Sequence, residues 1–176
     1  MNLIIRQEVE SDYASVFALI QEAFADEVYS DHREQFLVAN LRKSKAFIPE
    51  LSLVATIGGE LAGHILLTKI EIKNAINTYG SLALAPVSVL PKFQGQGIGG
   101  ELIKEAHKKA KVLGFKSIIL LGHKDYYPRF GYQPTAKFGI KLPFDAPKEN
   151  CMVIELVANG LEGVNGMVEY PKEFYH

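Results

Sequence analysis

Apolar positions at three- and four-residue spacing alternate along this chain with short aliphatic runs, so period separates helices from strands. An aliphatic stretch over 3–6 predicts a first strand. Behind it, Ser11 or Asp12 is placed to cap a helix in which Tyr13, Val16, Phe17, Ile20, Ala23 and Phe24 share one face. A second helix is predicted from about Asp31, whose carboxylate can accept a backbone amide hydrogen bond while Glu34 stands three residues on, a variant of the capping box. Phe36, Leu37 and Leu41 then face inward. Residues 51–57 and 60–72 flank Gly58-Gly59, a pair free to take positive φ, and predict an antiparallel hairpin. In the later strand Leu61, Ile65 and Leu67 alternate with Ala62, Leu66 and Ile70, so both faces are apolar and helices must cover the sheet on each side.

A third strand over 81–90 leads through Pro91, Lys92 and Phe93 into a glycine cluster. A helix follows over 98–113, with Leu102, Ile103 and Ala106 inward, lysines toward its C-terminal end and Gly114 as its stop. Residues 116–121 form the next strand. Strand, glycine turn, helix and strand imply a parallel pair with a right-handed crossover, hence a mixed sheet of the α/β class. The remainder predicts a short helix over 126–130, strands near 137–142 and 152–157, and an aperiodic tail from 158.

Composition narrows the function classes. A length of 176 residues, 48% hydrophobic, without repeats or a linker, reads as a single domain over 1–176. Nineteen basic against 20 acidic residues leave a net charge of −1, which argues against a nucleic-acid or membrane partner. Glu8, Glu10 and Asp12 interrupt the N-terminal apolar stretch, and no later apolar run approaches the roughly 18 residues a membrane span needs. The lone Cys151 has no disulfide partner and no zinc-ligand spacing around it, and the expected location is cytoplasmic.

Chemistry concentrates in Gln94-Gly95-Gln96-Gly97-Ile98-Gly99-Gly100, which places four glycines between a strand and a helix start. The first amides of a helix lack intrahelical acceptors, the dipole is positive there, and missing Cβ atoms admit phosphoryl oxygens close to the backbone. Gly95, Gly97 and Gly100 also satisfy the dinucleotide pattern G-x-G-x-x-G, with Asp125 where a ribose-binding acid would stand. Context opposes an oxidoreductase, because some 80 residues of helix and hairpin precede the turn and little chain remains for a second nucleotide-binding half.

Gln94-x-x-Gly97-x-Gly99, preceded by Val87-Ser88-Val89-Leu90-Pro91, resembles the [QR]-x-x-G-x-[GA] acyl-CoA signature of the GNAT superfamily of N-acetyltransferases. Tyr127-Pro128-Arg129-Phe130-Gly131-Tyr132 resembles the family's Y-x-x-x-G-[FY]. The Gly63-His64 strand and the closing Val168-x-Tyr170-Pro171-x-x-Phe174 are similar to its bacterial YhbS-like branch. Residues Gly122 to Asp125 depart from the family in lacking the asparagine that many members carry there. The resemblance implies a GNAT fold, a mixed sheet with helices on both faces, splayed between the strands at 81–90 and 116–121. It also implies that acetyl-CoA lies with its pyrophosphate on the amides of Gln94, Gly95, Gln96, Gly97, Ile98, Gly99 and Gly100, and its pantetheine arm along Val87, Ser88 and Val89. Tyr127, which matches the family's general acid, then protonates the departing thiolate.

The acceptor implied is a primary amine on a small molecule or a peptide, and a homodimer is left open. For the base, Glu34 and His64 are candidates; helix capping explains Glu34 equally well, and a hydrogen-bonded core position explains His64. Ser88 can orient a water, and Tyr126 is an alternative to Tyr127. The lysines at 104, 108, 109 and 111 form a basic helix face, solvated or directed at a phosphate, and Glu22, Asp26, Glu27 and Asp31 form an acidic segment on the acceptor side. A non-catalytic acyl-CoA sensor is the remaining alternative.

Overall fold

The structure, a computed structural model, describes residues 2–175. Strands β1 (Leu3–Gln7), β2 (Phe47–Ile57), β3 (Glu60–Lys73) and β4 (Thr78–Val89) form an antiparallel run. Next to β4 comes β5 (Ser117–Leu121), parallel to it, then β8 (Cys151–Glu155) and β6 (Gln133–Pro134). The hairpin between β2 and β3 turns on Gly58 and Gly59 at φ 57° and 84°, as their sequence predicts. The doubly wound sheet of a dinucleotide fold is missing, since among the described residues only β4/β5 and the short pair β7 (Ile140–Lys141) and β9 (Gly166–Glu169) run parallel.

Helix α3 (Ile98–Val112) covers one face, pressing Ile98, Leu102, Ile103 and Ala106 onto Leu53, Ala62, Ile65 and Leu82. It comes so close to β3 that a Cβ on Gly63 would stand 3.0 Å from both Leu102 Cδ1 and the Ser88 carbonyl oxygen. Helices α1 (Tyr13–Phe24) and α2 (Glu34–Leu41) cover part of the opposite face, with Val16, Ile20, Val38 and Leu41 against Val54 and Leu66. The tail covers the rest of that face through Leu161, Val168 and Tyr170.

Several local expectations are corrected. Asp12 does not cap α1: its carboxylate reaches back to the Val9 amide at 2.8 Å and pairs with Arg6, closing a 3-10 turn ahead of the helix. Asp31 bonds the Arg33 amide at 2.9 Å, but Glu34 is held by the Ser30 hydroxyl instead of completing a capping box. Because α2 begins at Glu34, its inward face is Gln35, Val38 and Leu41, while Phe36 stays 40% exposed and meets Phe17 edge-on. The strand expected over 137–142 is mostly a 3-10 turn at Thr135–Phe138, ended by Gly139 at φ 68°, and only β7 (Ile140–Lys141) is extended. The aperiodic tail contributes β9 (Gly166–Glu169), which takes the edge of β3 beyond the end of β2 and pairs with β7.

Candidate active site

Strands β4 and β5 are pinned together at one end and part at the other. Ser81 Oγ donates to the Ser117 carbonyl at 3.1 Å and lies 2.7 Å from Ser117 Oγ. Pairing continues through Leu82 with Ile118 and Ala83 with Ile119, then stops. Just there the β3/β4 register jumps from Ile65 opposite Val87 to Leu67 opposite Leu84. Ala85 and Pro86 therefore face Leu66 alone, a bulge that bends β4 away from its neighbour. A cavity of about 610 Å³ opens into the split, bordered by residues 83–85 of β4 and 119–121 of β5.

The glycine turn lies beyond the end of β4. A 3-10 turn at Pro91–Phe93 redirects the chain, the Gln94 amide donates to the Pro91 carbonyl, and Gln94 Nε2 folds back onto the Val89 carbonyl at 3.0 Å. Gly95 and Gly97 then take φ 79° and 81°, a left-handed conformation that L side chains rarely adopt. The amides of Gly95, Gln96, Gly97, Ile98, Gly99 and Gly100 donate to no protein acceptor among the described residues. Gly95 to Gly97 are exposed, so these donors are open to an anion at the positive end of α3. Gln94 thus buttresses the turn through its side chain and has its own amide engaged. Val87 and Val89 face the α3 side, half-buried, and Ser88 points to the other face with its Oγ buried and without a hydrogen-bond partner among the described residues.

Tyr127 opens the 3-10 turn Tyr127–Phe130, with its ring packed on Gly122 just past β5 and stacked edge-on against Tyr126 and Tyr132 at 5.0 and 5.8 Å. Burial, with a smaller contribution from Tyr126, pushes its phenol up to about 12. Tyr126 lies nearer the glycine turn, its hydroxyl 3.4 Å from where a Gly99 Cβ would stand, and the Arg129 guanidinium sits 4.7 Å from its ring centre. Sequence reasoning quoted Arg129 inside its motif without giving it a role; a cation within that turn was the available signal.

Glu34 lines the cavity from the opposite face: Oε2 accepts the Ser30 hydroxyl at 2.6 Å, while Oε1 is buried with no partner among the described residues. His64 is not near it. It is fully enclosed, Nε2 3.0 Å from Ser52 Oγ and 3.6 Å from Glu8 Oε2, in a network that Arg42 closes by two hydrogen bonds to Glu8. Burial, and then the Arg42 charge, bring its imidazole down to about 3. The Asp12 carboxylate acts the other way but more weakly, so burial dominates. Cys151 is likewise a core residue, its thiol raised by burial and directed at the Pro147 carbonyl.

Of the acidic segment only Asp31 lines the cavity; Glu22, Asp26 and Glu27 are exposed elsewhere. Sequence reasoning missed Asp145, Phe144 and Leu37 in the lining and gave no site role to Tyr170 and Phe174. The density of aromatic residues in the tail was the one signal for this wall. The lysine face of α3 is largely solvated, with Lys104 beside Glu101. Among the described residues no cluster of metal ligands occurs, and no helix is long and apolar enough to cross a membrane.

A mixed sheet split at a parallel pair, with open helix-start amides at its mouth, defines a class of acyl-carrier-binding α/β folds. Residues 14–132 match the model of the Acetyltransferase (GNAT) family, and the chain belongs to that family of acyltransferases. The uncharacterized N-acetyltransferase YjhQ of Escherichia coli K12 is 37% identical over 119 residues, which is 67% of this chain and 66% of that relative, just under two thirds of its length. The uncharacterized N-acetyltransferase YhbS of the same strain is 27% identical over 98% of both chains. In solved structures, E. coli YhbS in complex with CoA superposes with a TM-score of 0.89 at 25% identity, covering 100% of this chain and 93% of that one. A GNAT family acetyltransferase from Brucella melitensis in complex with acetyl-CoA gives 0.80 at 32% identity over 98% and 97%.

Proposed function

We propose that this chain transfers the acetyl group of acetyl-CoA to an amine nitrogen. The observation that carries the reading is the run of six unpartnered amides, Gly95 to Gly100, at the mouth of the β4/β5 split. Those amides suit the pyrophosphate, and the unpaired edge of β4 at Val87 to Val89 suits the amide-bearing pantetheine arm. Arg129 adds a charge beside the turn. Bound there, acetyl-CoA supplies the activated acyl group as a thioester.

Hydrogen-bond donor and base then stand on opposite faces of the split. Glu34, with one oxygen held by Ser30 and the other unpartnered, receives the proton of the attacking amine. A carbon–nitrogen bond forms and the carbon–sulfur bond breaks. The Tyr127 hydroxyl donates a hydrogen bond to the departing sulfur, and the thiolate takes its proton from solvent. His64, enclosed in the core, takes no direct part.

Calorimetric titration with acetyl-CoA, followed by a thiol-release assay over a panel of primary amines, tests the reading. Saturable binding in the micromolar range and amine-dependent CoA release are expected. Lack of binding at millimolar ligand would overturn it.

A further inference from the structure

The cavity at the split has a composition that the attacking nitrogen alone does not require. Its far wall is the aromatic stack of Phe144, Tyr170 and Phe174, with ring centres 4.7 and 5.0 Å apart. Carboxylates reach it from two directions, Asp31 and Glu34 at the start of α2 and Asp145 from the segment ahead of β8. Among the described residues Arg33 is the only cationic side chain in the lining, and its guanidinium lies 4.8 Å from the centre of the Phe36 ring, which is not part of the wall. A buried carboxylate oxygen without a partner, such as Glu34 Oε1, is costly until a donor or cation reaches it. Aromatic faces attract ammonium groups for the same electrostatic reason.

An amine must be neutral when it attacks, so once its proton has gone to Glu34 the nucleophile brings no charge to the other acids. We propose that the acceptor is a flexible amine carrying a second positive charge, which Asp145 and the wall of Phe144, Tyr170 and Phe174 hold while the nucleophilic nitrogen lies beside Glu34. Asp31 adds to the negative potential at the mouth. An acceptor with a neutral tail leaves Asp145 without a partner, and one with a carboxylate tail meets repulsion. The inference rests on the acetyl-transfer reading and names the acceptor class for that same site.

The test is a calorimetric comparison of three five-carbon amines, cadaverine, pentylamine and aminovalerate, on the full chain saturated with CoA. Cadaverine is expected to bind about tenfold more tightly than pentylamine, with aminovalerate weakest. Asp145→Asn, at an exposed position, should remove most of that preference while leaving pentylamine and CoA affinity unchanged. Phe174→Leu, which keeps an apolar side chain, should reduce it as well. Equal affinity for cadaverine and pentylamine, no binding of either at millimolar concentration, or a preference untouched by both substitutions would overturn the inference. Failure of CoA to bind would instead count against acetyl transfer, and the amine comparison repeated on the protein without CoA still decides the acceptor class.

Discussion

In the proposed reaction Tyr127 serves packing and chemistry through different atoms. Its ring fills the space over Gly122, where a Cβ would stand 2.3 Å from Tyr127 Cε2, and braces Tyr126 and Tyr132. Those contacts belong to the carbons and survive Tyr127→Phe. The hydroxyl, held up at about 12 by burial, stays well above an ordinary thiol near 8.5, so in the proposed reaction it would stabilise the leaving sulfur by hydrogen bonding and keep its own proton. Tyr127→Phe is therefore expected to keep its thermal midpoint and acetyl-CoA affinity while kcat falls about 100-fold. Unchanged turnover would remove the phenol from the mechanism. The raised value also fixes the pH profile: the donor stays protonated throughout the working range, whereas the acceptor amine must lose a proton to react. In steady-state assays kcat/KM should rise with pH, with no alkaline fall assignable to Tyr127 below about pH 10.

At the scale of elements, α3 decides where an anion can sit, and both its ends depend on left-handed glycines. Gly97 precedes the helix at φ 81° and Gly114 follows it at φ 92°, and neither has an atom within 4 Å of where a Cβ would stand. Either glycine-to-alanine change thus costs about 1 kcal/mol of backbone strain without a clash. Urea denaturation should give similar losses for Gly97→Ala and Gly114→Ala, but only Gly97→Ala should weaken acetyl-CoA binding, by about tenfold; equal affinities would detach the turn from the cofactor. Such elements were legible because their causes are local. The Gly58-Gly59 hairpin, the 98–112 helix and its glycine borders follow from residues a few positions apart. What was not legible depends on remote partners. Strands β6 and β7 have two residues each, too few for a period, and β9 exists because β3 outruns β2 and leaves an edge to pair. The aromatic and acidic wall joins Asp31 and Glu34 to Asp145, Tyr170 and Phe174, more than a hundred positions apart, and no local spacing marks that meeting.

Across the whole molecule, each face of the sheet carries a histidine kept neutral by burial. On the α1/α2 face His64 belongs to the network that joins Glu8 at the end of β1, Arg42 after α2 and Ser52 in β2. On the α3 face His107 Nε2 lies 2.8 Å from the Tyr132 hydroxyl, and burial brings its imidazole down to about 4. Unfolding exposes both rings to water, where they titrate near 6.5. Below that pH the unfolded chain binds protons that the folded chain refuses, so stability is lost as pH falls from about 6.5 toward the folded values of about 3 and 4. With both groups contributing, the slope is steepest near pH 5, at about 3 kcal/mol per pH unit. Urea unfolding at a series of pH values should show this decline beginning above the range in which ordinary carboxylates titrate. His107→Gln, which keeps a polar group facing Tyr132 without a titrating ring, should lower the slope by about half, whatever it does to stability at pH 7. Stability flat from pH 6.5 to 4.5 would mean that both rings reach water in the folded state. Both rings stay neutral in the folded chain across this window, so the loss falls on the unfolding equilibrium alone: unfolding free energy should decline while the folded chain keeps its affinity for acetyl-CoA, and saturating cofactor should delay the acid transition.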